Sequence, residues 1–346
     1  MRAPVLRYLP VLLLAALVIS AQLALSGLKS EFYLTQLTMS AYYALVTLGL
    51  CLLMGYAGQV SLGHAGFFAL GGYTTAVLST LGVIPWLSIP AAIALTAVVA
   101  FLVGIPVLRL RGHYLAMATL AFGFIVSRVL LGTSLFGAAD GISDIPAFRL
   151  FAGLVISGKK ALRVENYYIA WTLVTLGVLV AVNLVGSRVG KALRAIHGNE
   201  EAASAMGVDV ARYKLAVFVL SAVYAAVGGA CLAHFNGGIG PSEAGVLRSV
   251  RYVALVAAGG MGNLGGTLAV SVVLTFLSLR GAFGLYDDAV FAAILVAIML
   301  FAPEGVLGPL GGLLARARAR GRDERGAHGG ARRSRNTGQH RPGGRG

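Results

Sequence analysis

Long apolar runs without alternation dominate the pattern of hydrophobic and polar positions along this chain. Residues 32–108 contain no Asp, Glu, Lys or Arg, and shorter uncharged runs cover 8–28, 166–187, 215–242 and 252–279. Spanning a membrane takes about 20 apolar residues in a helix, whereas membrane β-strands alternate with a period of two. The pattern therefore predicts an all-α polytopic integral membrane protein with about 8–10 transmembrane helices, some broken at glycines.

Glycine-rich and charged stretches divide these runs into spans. We divide 32–108 into three crossings, near 55–59 and 82–86, and place later spans at about 113–131, 167–186, 213–235 and 286–301. Residues 252–279 are interrupted by G-G-M-G-N-L-G-G, and Glu243, Arg248 and Arg251 are placed at the flank of this run. Two broken helices are preferred there, because a single span would put the Arg-rich tail outside. With a retained first helix, both termini are predicted to be cytoplasmic.

The composition supports this reading and explains the high net charge. The chain is 58% hydrophobic and 12% charged, against about 25% charged residues in soluble domains. Residues 315–346 hold ten Arg and two acids, which supply +8 of the net +15. We predict a transmembrane domain over 1–312 and a disordered, Arg/Gly-rich cytoplasmic tail over 313–346. This charge favours a bilayer partner over nucleic acid, since no aromatic residue is interleaved for base stacking.

One polar stretch, residues 187–214, interrupts the apolar pattern with local structure of its own. Ser187 is predicted to cap a helix that runs to about His197, and Gly198 to end it in a left-handed conformation. Asn199 is predicted to cap a second helix, which Gly207 closes. Glu200 and Glu201 fall in its first turn, where the helix dipole favours negative charge. Asp209 can cap the span that follows.

Motifs for catalysis, metal binding and nucleotide binding do not fit this chain. The two cysteines sit in apolar runs, and the six histidines form no zinc pattern. Gly260-x-Gly262-x-x-Gly265 lacks the βαβ context of a dinucleotide site, and G-S-R-V-G-K at 186–191 is one residue short of a P-loop. We therefore expect no enzyme activity, no metal, no cofactor and no ATP site on this chain. His64 is interpreted as a packed, hydrogen-bonded side chain, with a proton relay as the alternative.

Several stretches resemble the branched-chain amino-acid ABC transporter permeases. They are G-Q-V-S-L-G-H-A-G-F-F at 58–68, Y-L-A-M-A-T-L-A-F-G at 114–123, A-D-G-I-S-D-I-P at 139–146, G-G-M-G-N-L-G-G at 259–266, P-E-G-V-L-G at 303–308 and E-A-A-S-A-M-G at 201–207. Ala138 stands where the family usually has the second glycine of a pair. The resemblance covers about residues 30–310.

The resemblance implies which residues carry function. An ATPase-coupling loop over 187–212 would comprise Arg194, Ala195, Glu201, Ala202, Ala203 and Gly207. Candidates for the translocation path and its signature are Gly58, Gln59, Ser61, Gly63, His64, Gly66, Tyr73, Asp140, Gly259, Gly260 and Gly262.

The resemblance also implies a function and partners. The chain is expected to be a permease subunit of a bacterial importer for branched-chain or other small neutral amino acids, located in the inner membrane. It would pair with a homologous second permease, two ATP-binding subunits that use ATP, and a periplasmic substrate-binding protein. The alternatives are the same architecture for urea, short amides or aromatic acids, and a stand-alone secondary transporter.

Overall fold

The computed structural model describes residues 4–27, 32–149, 154–281 and 284–301 of the 346-residue chain. Its helices are α1 (Pro4–Gly27), α2 (Phe32–Cys51), α3 (His64–Thr80), α4 (Pro85–Val107), α5 (His113–Gly132), α6 (Arg163–Gly186), α7 (Arg188–Gly198), α8 (Glu200–Ala205), α9 (Val210–Asn236), α10 (Val246–Gly259), α11 (Leu264–Leu279) and α12 (Asp287–Phe301). A π-helical turn, Leu52–Tyr56, extends α2. Two-residue strands β1 (Phe148–Arg149) and β2 (Val155–Ile156) pair antiparallel. The predicted all-α polytopic fold is confirmed.

The helix boundaries agree with most of the predicted spans. Residues 32–108 form three helices with breaks at 57–63 and 81–84, and the late glycine-rich run separates α10 from α11, as expected. Two details differ. α6 begins at Arg163 rather than Tyr167, with Glu165 in its first turn, and the β1–β2 hairpin lies in a stretch predicted as loop. The predicted tail, 313–346, lies outside the described residues.

Helix α9 forms the centre of the bundle and packs against α2, α3 and α4. Small residues allow the closest approach. A Cβ added to Gly71 of α3 would lie 2.5 Å from the Cα of Ala226, and one added to Gly229 of α9 would overlap the carbonyl of Phe68. Such contacts bring two backbones together, the usual way in which helices associate in a membrane, where no hydrophobic force drives them.

The buried positions of α4, which face the bundle, recur every four residues. Its buried positions are small, and they are Ser88, Ala92, Thr96, Ala100 and Gly104. Large apolar side chains cover the opposite face of α4, and Leu95, Val98 and Leu102 are each about half exposed. A helix with a small-residue stripe inside and bulky apolar residues outside is suited to contact lipid. Five helices of the described chain are long and apolar enough to cross a membrane by themselves.

Two hydrogen bonds between α6 and α1 show the direction in which α1 runs. The Tyr167 hydroxyl donates to the Val18 carbonyl at 2.9 Å, and Tyr168 bonds Gln22. These contacts join the start of α6 to the second half of α1, so the two helices run antiparallel. Because α6 leads directly into α7, the start of α1 lies at the same end of the bundle as α7 and α8.

Close packing at Gly71 gives a test with a matched control. Gly71→Ala forces a methyl group against the α9 backbone and should destabilise the protein by about 1–3 kcal/mol, as overpacking does. Gly132→Ala places the same methyl where nothing lies within 4 Å and should leave stability unchanged or slightly raised, since Ala favours helix. Thermal unfolding in detergent measures both, and equal midpoints for the two variants would contradict the packing described.

Candidate coupling unit and membrane core

Helices α7 and α8 form a compact corner, which we call the coupling unit, residues 187–209. The Ser187 side chain caps α7 by accepting from the Gly190 amide at 3.4 Å. Asn199 Oδ1 caps α8 by accepting from the amides of Glu201 and Ala202, at 2.9 and 3.0 Å. Both caps confirm the prediction. The predicted role of Gly198 is wrong, because α7 continues through it and extended Asn199 makes the corner instead.

The exit from the coupling unit is also set by local chemistry. Gly207 adopts φ +82°, a left-handed conformation that favours glycine. Asp209 Oδ1 then accepts from the Arg212 amide at 3.1 Å and caps α9. The short link between α8 and α9 is therefore set by one glycine and one cap, as the sequence predicts.

Three apolar side chains anchor the coupling unit to the bundle. Leu193 and Ile196 are buried on one face of α7, and Ala203 is buried under α8. Glu200 forms an ion pair with buried Lys214 at the start of α9. Arg111, in the loop after α4, lies 3.8 Å from Glu200. The Arg111 loop and the coupling unit therefore lie at the same end of the bundle.

The other predicted coupling residues lie on the outer face of this corner. Arg194 and Ala195 of α7 and Glu201, Ala202 and Gly207 of the α8 region are exposed, while Ala203 is the buried anchor. Met206 is 85% exposed beside them. A shallow pocket of about 310 Å³ is lined by Arg111, Glu200, Glu201, Ser204 and Val210. Of the residues on this face, Met206 and Arg194 are of the types that are enriched at protein interfaces.

His64 lies at the buried start of α3 and has both ring nitrogens bonded. Its Nδ1 lies 3.0 Å from Ser61 Oγ and its Nε2 lies 2.9 Å from Ser221 Oγ. The Ser221 hydroxyl donates to the Phe218 carbonyl at 2.8 Å, so its oxygen accepts from Nε2–H, and Nδ1 accepts from Ser61. This assigns the neutral Nε2–H tautomer. The interpretation of His64 as a packed, hydrogen-bonded side chain agrees with this geometry.

The glycines of the signature lie where backbones meet. A Cβ added to Gly63 would lie 2.5 Å from the Thr119 carbonyl oxygen, and Gly66 lies against Gly123. The segment before α3 and the first turn of α3 therefore pack closely against α5. Gly58 adopts φ +67° and lies against the His197 ring of α7. Gln59 is 2% exposed, and its amide has no hydrogen-bond partner among the described residues.

The late glycine-rich break meets the first one. Gly262 has φ +84°, and a Cβ on Gly55 would overlap its backbone. The Tyr56 hydroxyl donates to the Gly262 carbonyl at 2.7 Å. Gly259 packs against Thr267 of α11, and Gly260 turns the chain with φ +92°. The π-helical turn and the α10–α11 turn therefore form one contact.

Two predicted residues lie away from these contacts. Tyr73 is 1% exposed and lies nine positions after His64 on α3. Asp140 is exposed in the loop after α5, where Ala138 itself adopts a left-handed φ of +47°. That loop pairs with the end of α9, where Ile142 and Ile239 exchange backbone hydrogen bonds of 2.9 and 2.8 Å. The structure thus places Asp140 at the end opposite the coupling unit.

Sequence reasoning missed the charged residues of α10. Glu243 was placed at a membrane flank, yet it accepts a 3.0 Å hydrogen bond from Tyr43, the twelfth residue of α2. Arg248 donates to the same carboxylate oxygen at 3.1 Å. On the next turn, Arg251 pairs with Asp287 at 3.0 Å. The sequence signals only a turn here, at Gly240-Pro241 just before Glu243, and the depth of the charges follows from the packing of separate helices.

A family model described as branched-chain amino acid transport system / permease component matches residues 32–302. The chain belongs to this permease family. It is therefore a multi-pass membrane protein and a transport subunit rather than an enzyme. Among the described residues, no three His, Cys, Asp or Glu side chains form a group that could hold a metal.

Named relatives align over most of the chain. The high-affinity branched-chain amino acid transport system permease protein LivM of Salmonella typhimurium is 34% identical over 292 residues, covering 78% of this chain and 68% of the relative. LivH of Escherichia coli K12 is 25% identical, covering 78% and 92%. BraD of Pseudomonas aeruginosa is 27% identical, covering 79% and 93%. No solved structure matches the chain.

The hydrogen bonds of His64 give a second matched test. Ser221→Ala leaves Nε2–H buried without its acceptor, which should cost about 1–3 kcal/mol of stability. Ser40→Ala removes an equally buried hydroxyl that bonds only within its own helix, to Gln36, and should cost less. Comparing the two unfolding midpoints in detergent checks this, and a larger loss in Ser40→Ala would contradict the assignment.

Proposed function

We propose that this chain is a permease subunit of a bacterial ABC importer that moves branched-chain or other small neutral amino acids across the inner membrane. The family match supports the permease role, and the names of the relatives support the substrate class. One observation carries the coupling mechanism, namely the exposed outer face of α8. A loop that only joined two spans would not need two capped helices and an ion pair to a buried lysine to hold it.

We place ATP binding on two separate subunits that dock against the coupling unit. Glu201 is 84% exposed at its side chain, and Arg111 lies 3.7 Å from it. The apolar anchors Leu193, Ile196 and Ala203 hold the unit against the bundle, and both α7 and α8 contact α9. A displacement of the outer face would therefore also displace α9. This is the arrangement required if ATP-driven closure of the ATPases is to move helices in the membrane.

The second permease and the binding protein complete the proposed assembly. The chain is similar both to relatives named LivM and to relatives named LivH, which supports pairing between two related permeases. A periplasmic binding protein would deliver substrate at the end that carries Asp140. With the coupling unit in the cytoplasm, α1 begins on the cytoplasmic side, which agrees with the positive-inside rule for Arg109 and Arg111.

Charge reversal on the outer face tests ATPase docking. Glu201→Lys should lower the amount of ATPase that co-purifies by about tenfold or more, since like charges across an interface cost several kcal/mol. Asp140→Lys makes the same reversal on an exposed carboxylate at the opposite end and should retain the ATPase. Pull-down from detergent with equal permease loading measures both. Full retention by Glu201→Lys would count against docking at α8.

Backbone conformation at the exit of the coupling unit gives a fourth matched pair. Gly207→Ala and Gly198→Ala both add a methyl to open space, but only Gly207 has positive φ. The left-handed conformation costs an Ala about 1–2 kcal/mol, so Gly207→Ala should reorient α8 and reduce substrate uptake. Gly198→Ala should leave uptake near that of wild type. Uptake by proteoliposomes decides, and equal uptake would show that this turn does not matter for coupling.

A further inference from the structure

A cluster of charged and aromatic groups lies at the start of α10, and the functions assigned above do not use it. Glu243 Oε1 accepts from the Tyr43 hydroxyl at 3.0 Å and from Arg248 Nη2 at 3.1 Å. The Arg248 guanidinium lies 5.4 Å from the centre of the Tyr43 ring, and the Tyr252 ring lies 6.4 Å from that of Tyr43. We call Tyr43, Tyr73, Glu243, Arg248 and Tyr252 the α10 cluster.

The cluster lies at mid-depth of the bundle. Tyr43 is the twelfth residue of the span Phe32–Tyr56, about 17 Å from its start at 1.5 Å per residue. Ser249, beside Arg248, accepts from the backbone amide of Ala65 at 3.2 Å, which ties the first turn of α10 to the first turn of α3. Charged side chains at this depth are costly and usually mark a substrate or ion path.

Polar atoms of the cluster remain available for further bonds. Within the described residues, Glu243 Oε2, the Tyr73 hydroxyl and the Tyr252 hydroxyl are buried and have no hydrogen-bond partner. Both tyrosines are at most 2% exposed, and both hydroxyls lie within electrostatic range of Glu243. A guanidinium has five N–H donors, and a buried polar group that lacks a hydrogen bond is destabilising.

The cluster can be reached from one side of the chain. The Arg248 side chain is 32% exposed and that of Glu243 is 13% exposed. Next to Arg248 on α10, the apolar side chains of Leu247 and Val250 are 75% and 44% exposed. Both members of the ion pair therefore have an exposed part, while Leu247 and Val250, one residue before and two residues after Arg248, lie on other faces of α10.

We propose that the α10 cluster is a mid-membrane contact site for the zwitterionic head of an α-amino acid. Glu243 Oε2 accepts from the substrate ammonium, and Arg248 with the Tyr252 hydroxyl donates to the substrate carboxylate. The start of α10 adds a favourable field for the carboxylate, because a helix N-terminus carries partial positive charge.

The complementary charges select the substrate class. A zwitterion supplies one cation and one anion a few ångströms apart, so it can contact both members of the ion pair without leaving either charge unpaired. Neutral amides lack both charges, and simple acids or amines lack one. This site rests on the proposed importer function and narrows its substrate class to α-amino acids.

Photolabelling with the diazirine analogue of leucine tests the site directly. The probe is a zwitterion, and the assembled wild-type complex in detergent should be labelled in the peptides that carry 43, 73 or 243–252. Excess L-leucine should reduce the labelling, whereas isoamylamine, which lacks the carboxylate, and 4-methylvalerate, which lacks the ammonium, should not. Glu243→Gln and Arg248→Gln should each lower labelling by about tenfold, as loss of a charged hydrogen bond does.

The Arg251–Asp287 pair supplies the matched control. It lies on the next turn of α10 and is of similar length. Asp287 Oδ2 accepts from both Arg251 and the Ser278 hydroxyl, and Asp287 Oδ1 has no partner among the described residues, so the control has the same kind of free carboxylate oxygen at a different place on α10. Arg251→Gln should keep the labelling. Labelling confined to other helices, or unchanged in both cluster variants, would overturn the site.

Uptake separates failure of the site from failure of the proposed function. ATP-driven uptake of L-leucine by wild-type proteoliposomes, together with normal uptake by Glu243→Gln and Arg248→Gln, would overturn the site and leave the importer function standing. Absence of ATP-driven uptake in wild type, with labelling still present, would overturn the importer function alone. Recovery of uptake and labelling in Glu243→Asp, which keeps the charge, would support the site over a role in folding.

Discussion

Backbone N–H and C=O groups at membrane depth need hydrogen-bond partners other than water. In the described chain, the helical structure is interrupted at this depth before α3 and before α10. α3 and α10 both begin part-way through the bundle, so their first amides lack helical acceptors. Side chains from other helices supply some of them. Thr119 accepts from the Leu62 amide at 3.0 Å and Ser249 accepts from the Ala65 amide at 3.2 Å. His64, between Ser61 and Ser221, fixes the first break to α9. Glycine packing brings these segments close together but does not fix their orientation. The hydrogen bonds supply that orientation.

The same breaks connect the coupling unit to the interior. α7 packs against the π-helical turn that ends α2, and its His197 ring lies against Gly58. That turn in turn contacts Gly262, between α10 and α11. Besides α6 and α9, α7 therefore contacts a chain of two backbone turns. The helix α3 begins after the first turn and carries His64, and α10 ends at the second turn and carries the α10 cluster at its start. The coupling unit and the mid-membrane charges are thus joined by one continuous series of contacts.

Sequence was a good guide wherever structure depends on neighbouring residues. The caps at Ser187, Asn199 and Asp209 and the left-handed Gly207 follow from local chemistry, and uncharged runs gave the helices within a few residues. Gly198 was misread because an extended Asn199 can also turn the chain. The partners of His64 and the depth of Glu243 depend on how separate helices pack, which no local pattern contains. A hydropathy profile places a charge at a boundary, and only the fold shows that the chain has re-entered the bundle.

The position of the Glu243–Arg248 pair is hard to explain by stability alone. Burying an ion pair contributes little or nothing to stability compared with apolar residues of similar volume, and here the surroundings are mainly aromatic. Close glycine contacts and the long apolar centre in α9 hold the bundle together elsewhere. Three buried polar atoms near the pair lack partners among the described residues, which adds to the cost. A transporter that accepts a doubly charged, net-neutral solute from water must replace both hydration shells inside the membrane. An ion pair with spare donors and acceptors meets that requirement for the charged head of the solute.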